Sequence, residues 1–264
     1  MTNQDEMRRP ALTEGQPAPG AFVKQTAAEY AGTQVYHGLY LPTDWTPGGR
    51  YPVIVEYAGN HSPPICTGKV DDCLLGFCQS GGKGFIWLVL PMVNTKERKN
   101  QLDWWGDVEA TVEYCKTNVR RVCRQYGGDE SAVFVTGFSR GAIACGFLGL
   151  HDDDVASLWA GFLPHSHHDG GNFTAGGARE RVARIAGRPS FLTWGSLDGG
   201  KRNSLIGKQM LEEMGFPAVA IEIEGLDHSD LWIEQDCPTR RTMRQWIDHV
   251  IRERRKAVAA RKLK

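Results

Sequence analysis

The sequence has no excess charge of either sign. Its 264 residues carry 31 Lys and Arg against 31 Asp and Glu, so there is no electrostatic footprint for nucleic acid. No stretch approaches the ~18 apolar residues of a membrane span. Met1–Gly20 lacks the apolar segment of a signal peptide, and the expectation is a cytoplasmic protein, the alternative being export with a leader already removed. There is no C-x-x-C, which argues against zinc ribbons and thioredoxin-like redox chemistry. Nor is there an internal repeat or a low-complexity linker. Nothing in the sequence speaks to an oligomeric state.

What is present fits one large domain. A chain of this length buries roughly three quarters of its unfolded surface, so it needs no staples to hold a core. Residues 1–21, with Pro10, Pro17 and Pro19, read as a loose N-terminal arm, and residues 22–264 as the domain. The basic end, Arg252–Lys264, reads as a solvated helix end whose charges suit the C-terminal dipole. Among seven cysteines, Cys66, Cys73 and Cys78 share one loop-like stretch where a bridge can form. Cys115 and Cys123 lie eight apart on a predicted helix, about 12 Å, too far to bridge each other. Cys145 and Cys237 read as small buried residues.

Strand and helix patterns alternate along the chain. Val35–Leu41, Pro52–Tyr57 and Phe85–Leu90 read as strands, each bounded by proline or glycine. Val108, Val112, Cys115, Val119, Val122 and Tyr126 recur at spacings of three and four, which predicts a helix with Asp103 as its cap and Asp107 and Glu109 in its first turn. Ala132–Thr136, Ser157–Leu163, Ser190–Trp194 and Val219–Glu224 read as further strands. Ala142–Leu150, Arg179–Ala186, Ser204–Met214 and a stretch from about Thr239 read as helices. The alternation implies βαβ units, an α/β class and a mostly parallel sheet with helices on both faces.

The chemistry gathers at the carboxyl ends of these strands. Gly137-Phe138-Ser139-Arg140-Gly141 is a G-x-S-x-G match. In a glycine-rich chain the match is weak alone, but an apolar strand precedes it and a helix follows it, as a nucleophile elbow requires. A serine hydroxyl needs a base in reach, and the base needs an orienting carboxylate. The strand at 190–194 runs into Gly195-Ser196-Leu197-Asp198, and that at 219–224 into Gly225-Leu226-Asp227-His228. The order Ser139, Asp198, His228 is that of a hydrolase triad on an α/β sheet, with Asp169 as a competing acid and His167 or His168 as competing bases.

On these pieces, together with Tyr57-Ala58-Gly59-Asn60, the segment from about Tyr51 to Trp232 resembles the α/β-hydrolase superfamily. Within it the chain looks most like compact esterases of the feruloyl esterase and polyhydroxybutyrate depolymerase type. The resemblance implies an α/β-hydrolase fold and an oxyanion hole built from the amides of Asn60 and Arg140. At the loop after the third strand, Ala58 stands where such esterases often have histidine. The implied function is a serine carboxylic-ester hydrolase working through an acyl-enzyme without a cofactor, on a small-molecule or polymer-derived ester. The alternatives are a serine peptidase on the same fold and an inactive hydrolase-like binding module.

Other residues are expected near the same edge. Trp104 and Trp105 are candidates for a wall of the substrate cleft, since tryptophan offers a large apolar face. Of the run His165-Ser166-His167-His168-Asp169, His167 and His168 are candidates for lining it. Zinc would suit imidazole and carboxylate, but the run is too tight to supply a ligand set, and no metal is expected. The stretch between Leu163 and Ser190 has room for one helix and a loop, not for a lid domain.

Overall fold

The computed structural model describes residues 7–262 except 171, 172 and 175. Strands β1 (Phe22–Gln25), β2 (His37–Tyr40), β3 (Tyr51–Tyr57) and β4 (Ile86–Leu90) come first, with the short helix α1 (Leu75–Ser80) before β4. A two-strand ribbon, β5 (Val93–Asn94) and β6 (Lys99–Asn100), leads to helix α2 (Val108–Tyr126). Then follow β7 (Gly128–Phe138), α3 (Arg140–Phe147), α4 (Asp153–Ala156), β8 (Gly161–His165), α5 (Ala178–Ala183) and β9 (Ser190–Gly195). Helix α6 (Lys201–Glu213), β10 (Ala218–Ile223) and α7 (Pro238–Lys262) complete the chain.

Eight strands form one sheet in the order β1-β2-β4-β3-β7-β8-β9-β10. β1, β2 and β4 pair antiparallel, and all pairs from β4 to β10 are parallel. The expected class, a mostly parallel sheet flanked by helices, is what is observed. From β3 the chain crosses to β4 on one side, and from β7 to β8 on the other. This reversal opens a crevice beyond the carboxyl ends of β3 and β7, where open α/β sheets bind ligands.

The strand pattern explains the two-sided core. Successive strand side chains point to opposite faces. Val53, Val55 and Tyr57 pack in one cluster with Val112, Cys115 and Val119 of α2. Ile54 packs on the other face with Phe77 of α1 and Met243, Ile247 and Val250 of α7. Glu56 shares that second face and is 1% exposed. It survives burial because its carboxylate accepts the N–H groups of Leu74, Leu75 and Gly76 and the Trp87 indole; even so, burial raises its pKa.

Several boundaries differ from the sequence reading. Asp107, not Asp103, caps α2, accepting from the Ala110 N–H at 3.0 Å. The strand read at 157–163 begins at Gly161, because Asp152 caps a short helix (α4) that ends the preceding turn. Helix α1, strand β1 and the β5–β6 ribbon are too short to leave a period. All seven cysteines are unbridged. Near the N-terminus, the Met7 N–H donates to Glu234 O, Arg9 to the Asp71 carbonyl, and Thr13 and Pro19 bridge to Val23 and Leu41; residues 1–6 of that segment and 263–264 of the basic end lie outside the described residues.

Candidate active site

The turn from β7 into α3 dictates where Ser139 sits. Tyr57 is in register with Gly137, and Phe138 with His165, so β3, β7 and β8 end side by side. Ser139 has φ 56° and ψ −118°, a region costly to any residue with a Cβ. The two flanking glycines make the turn possible. A Cβ on Gly137 would lie 2.4 Å from the Gly141 carbonyl carbon, and one on Gly141 would lie 2.0 Å from Tyr57 O. The Ser139 N–H is held by His165 O at 3.0 Å. Its side chain therefore stands above the sheet at the start of α3.

Three side chains from three separate loops meet there. His228 Nε2 lies 2.9 Å from Ser139 Oγ, and His228 Nδ1 lies 2.9 Å from Asp198 Oδ1. An ionised carboxylate only accepts, so Nδ1 carries the proton and Nε2 is left to accept from the serine hydroxyl. Burial pushes the Asp198 carboxyl up. Hydrogen bonds from His228, the Ser166 hydroxyl and the Gly200 N–H outweigh it, and the net pKa is lowered. The His228 ring is also braced by Phe138, at 4.7 Å, and by His167, edge-on at 5.3 Å.

The loop after β3 runs beside the turn at Ser139, where a Cβ on Gly59 would lie 3.5 Å from the Phe138 ring. The backbone N–H groups of Asn60 and Arg140 meet no acceptor among the described residues. The Asn60 side-chain oxygen accepts from the Trp104 N–H at 2.6 Å, tying that loop to the one before α2.

The Arg140 side chain was missed by the sequence reading, which used only its amide. It is 2% exposed, and no carboxylate lies within ion-pair distance among the described residues. Instead its guanidinium donates to three carbonyls, Ala58 O (3.4 Å), Trp104 O (2.7 Å) and Gly68 O (3.4 Å). Burial draws its pKa down to about 10. One side chain thus clamps two loops beside Ser139, the segment between β3 and α1 at both Ala58 and Gly68, and the loop before α2 at Trp104. The signal available in the sequence was an arginine set between the apolar strand Val133-Phe134-Val135 and the apolar helix residues Gly141-Ala142-Ile143.

The other candidates separate. Trp104 is exposed and stacks on Phe173 at 5.8 Å, while Trp105 leans on Phe147 at 4.7 Å and donates to Phe173 O. His167 stands beside His228, neutral because burial, then repulsion from His228, draw its pKa down to about 4. His168 is placed away from this group: it is buried under α6, so close to Gly207 that a Cβ there would lie 2.2 Å from its ring. Asp169 is committed to Arg181 at 2.6 Å and to Thr174, far from the role of a competing acid. His165 is buried between Thr193 Oγ1 and Ser229 O. Among the described residues no three His, Cys, Asp or Glu side chains gather as metal ligands, and no helix is long and apolar enough to cross a membrane.

No protein-family model and no curated protein matches the chain. Solved structures do. An esterase B from Lactobacillus Rhamnosis superposes with TM-score 0.64 at 13% identity, covering 93% of this chain and 91% of that one. A feruloyl esterase module from Clostridium thermocellum, solved with sinapinate, gives 0.58 at 15% identity over 88% and 95%. A thermostable esterase gives 0.60 at 18% identity over 86% of this chain, which spans only 62% of that protein. With the strand order and the strand-to-helix turn at Ser139, these likenesses define the chain's architecture as the α/β-hydrolase fold.

Proposed function

We propose that the protein is a serine carboxylic-ester hydrolase in which Ser139, His228 and Asp198 form the catalytic triad. The observation that carries this reading is the pair of 2.9 Å contacts running from Ser139 through His228 to Asp198. His228 takes the proton from Ser139 as the hydroxyl attacks the ester carbonyl. Asp198 holds the imidazole in the required tautomer and stabilises its charged form. The amides of Asn60 and Arg140, which meet no acceptor among the described residues, receive the oxyanion, a contribution of about 3–4 kcal/mol per donor in comparable sites. The protonated His228 gives its proton to the departing alkoxide, leaving an acyl-enzyme. Water, deprotonated by the same imidazole, then releases the acid. No step calls for a cofactor.

Fold alone does not select ester over amide chemistry. The esterase names of the three superposed structures favour esters. The test is labelling with a fluorophosphonate probe followed by a p-nitrophenyl ester series beside matched anilides. Labelling at Ser139 with ester turnover is expected. Turnover of the anilides at comparable rates would favour the peptidase reading, and no labelling would leave an inactive binding module.

A further inference from the structure

An ester has two arms, and one depression is walled by His228 while a second is walled by His167, whose ring lies 5.3 Å from that of His228. The larger, about 1100 Å3, has His228 itself in its wall and is lined by charges of both signs, among them Arg8, Asp72, Asp227 and Glu234. The smaller, about 310 Å3, is lined by His167, Phe173, Gly200, Arg202, Asn203 and Ile206. Gly199 borders both, so the two meet beside the proposed catalytic histidine.

The chemistry of the smaller depression is one-sided. Phe173 and Ile206 give it an apolar floor, and Phe173 continues into the exposed face of Trp104. Both polar ends of Asn203 are spent within the protein, its oxygen on the His168 N–H at 2.7 Å and its amide on Gly170 O at 2.9 Å. His167 is uncharged at neutral pH. Arg202 is the only charged side chain among the described residues lining it. Its guanidinium is exposed and makes no hydrogen bond or ion pair with any described residue. The contrast with Lys201 is instructive, since that neighbour is satisfied by Glu222 at 2.7 Å. A planar guanidinium whose five donors meet no partner among the described residues, at the rim of a small apolar pocket, matches a carboxylate at the end of a short chain.

We infer that this pocket is a subsite for an anionic arm, so that the protein acts on esters bearing a free carboxylate, held by Arg202. The inference rests on the proposed esterase reading. The larger depression, with its mixed charges, takes the other arm. Electrostatic attraction at an exposed arginine is screened by salt, so the preference weakens as ionic strength rises.

The test compares anionic with neutral esters of matched size, with the charge placed on either arm. Mono-p-nitrophenyl glutarate is set against p-nitrophenyl valerate, and 4-acetoxybutyrate against pentyl acetate. Wild-type protein should favour the anionic member of at least one pair. Arg202→Gln should lower that ratio of kcat/KM about tenfold, and Arg202→Glu should invert it. An exposed side chain can be changed without loss of folding, and melting curves check this. Glutarate titrated against the unreacted protein by NMR gives a second readout, in which Arg202→Gln should weaken binding about tenfold. Ratios that are the same in wild type and both variants would overturn the subsite. If none of the esters is cleaved, the esterase reading fails and the glutarate titration alone decides the subsite: binding that depends on Arg202 supports it, and binding that ignores Arg202 removes it.

Discussion

Two loops at the same edge of the sheet offer histidines to Ser139, and only one delivers. The end of β8 and the segment after it bring His165, His167 and His168 together with Asp169. The loop after β10 brings His228 with Asp227. By position along the sheet the first is nearer, since Phe138 is in direct register with His165. Yet His165 is spent on Thr193 and Ser229, His168 on Asp169 O and α6, and Asp169 on Arg181. His228 arrives from the far edge with both ring nitrogens assigned to Ser139 and Asp198. Nearness to a reactive serine is therefore not the deciding quantity. What decides is where each ring nitrogen is aimed: both nitrogens of His165 have partners elsewhere, His168 holds Asp169 O through Nδ1 and lies against α6, and His167 stands beside His228 with its Nδ1 unpartnered, so that His228 alone of these four reaches Ser139 Oγ among the described residues.

Mutations can break this comparison. The largest effect belongs to Ser139→Ala and His228→Ala, each expected to lower kcat by about 10⁴ to 10⁶, with the double mutant hardly worse than either. Additive losses would mean that the two do not act as a pair. Asp198→Asn should fold and lose roughly 10³ to 10⁴ in kcat, because the imidazole loses its charge partner and tautomer. Arg140→Lys keeps the backbone amide and removes the clamp between the two loops. A fall in kcat/KM of about tenfold to a hundredfold is expected, and an unchanged value would show that the loops hold their places without it.

The β8 segment should respond in stability instead. Asp169 is fully buried at its side chain and Arg181 nearly so. Breaking such a pair costs about 3 kcal/mol or more, so Asp169→Ala should lower the urea midpoint while the rate per folded molecule stays within about twofold. A triad-sized loss of rate with intact stability would reverse the assignment of the two carboxylates. The smallest effect is that of His167→Ala, expected to move KM about threefold with kcat nearly held.

Acid sharpens the same contrast. The folded Asp198 carboxyl titrates below its unfolded value of about 3.9. Its contribution to stability is thus fully present above that value and is lost as pH falls through the lower folded one. Asp198→Asn should flatten the stability curve in this acid window, which urea unfolding at a series of pH values from about 2 to 6 would reveal.

Much of this was legible beforehand. The apolar run at β3, the period of α2, the glycines around Ser139 and the chain order Ser139, Asp198, His228 each follow from local rules, since strand, helix and tight turn are written in neighbouring residues. Short elements were not: β1, α1 and α4 span too few residues for a period, and the cap of α2 fell to Asp107 because capping depends on which carboxylate the backbone turns toward the first free N–H groups. The Arg140 guanidinium escaped for the same reason that it matters: its three acceptors, Ala58, Gly68 and Trp104, lie 36 to 82 residues away.

The sequence by itself determined the class of fold and the order in which the three residues of the proposed triad, Ser139, Asp198 and His228, follow along the chain. Only the tertiary structure decided which histidine reaches Ser139, which carboxylate is committed to Arg181, and that Arg202 stands over a small pocket with no partner among the described residues. Propensity and turn chemistry act between residues close in the chain, whereas the satisfaction of a buried or charged group is settled by whatever the fold brings against it.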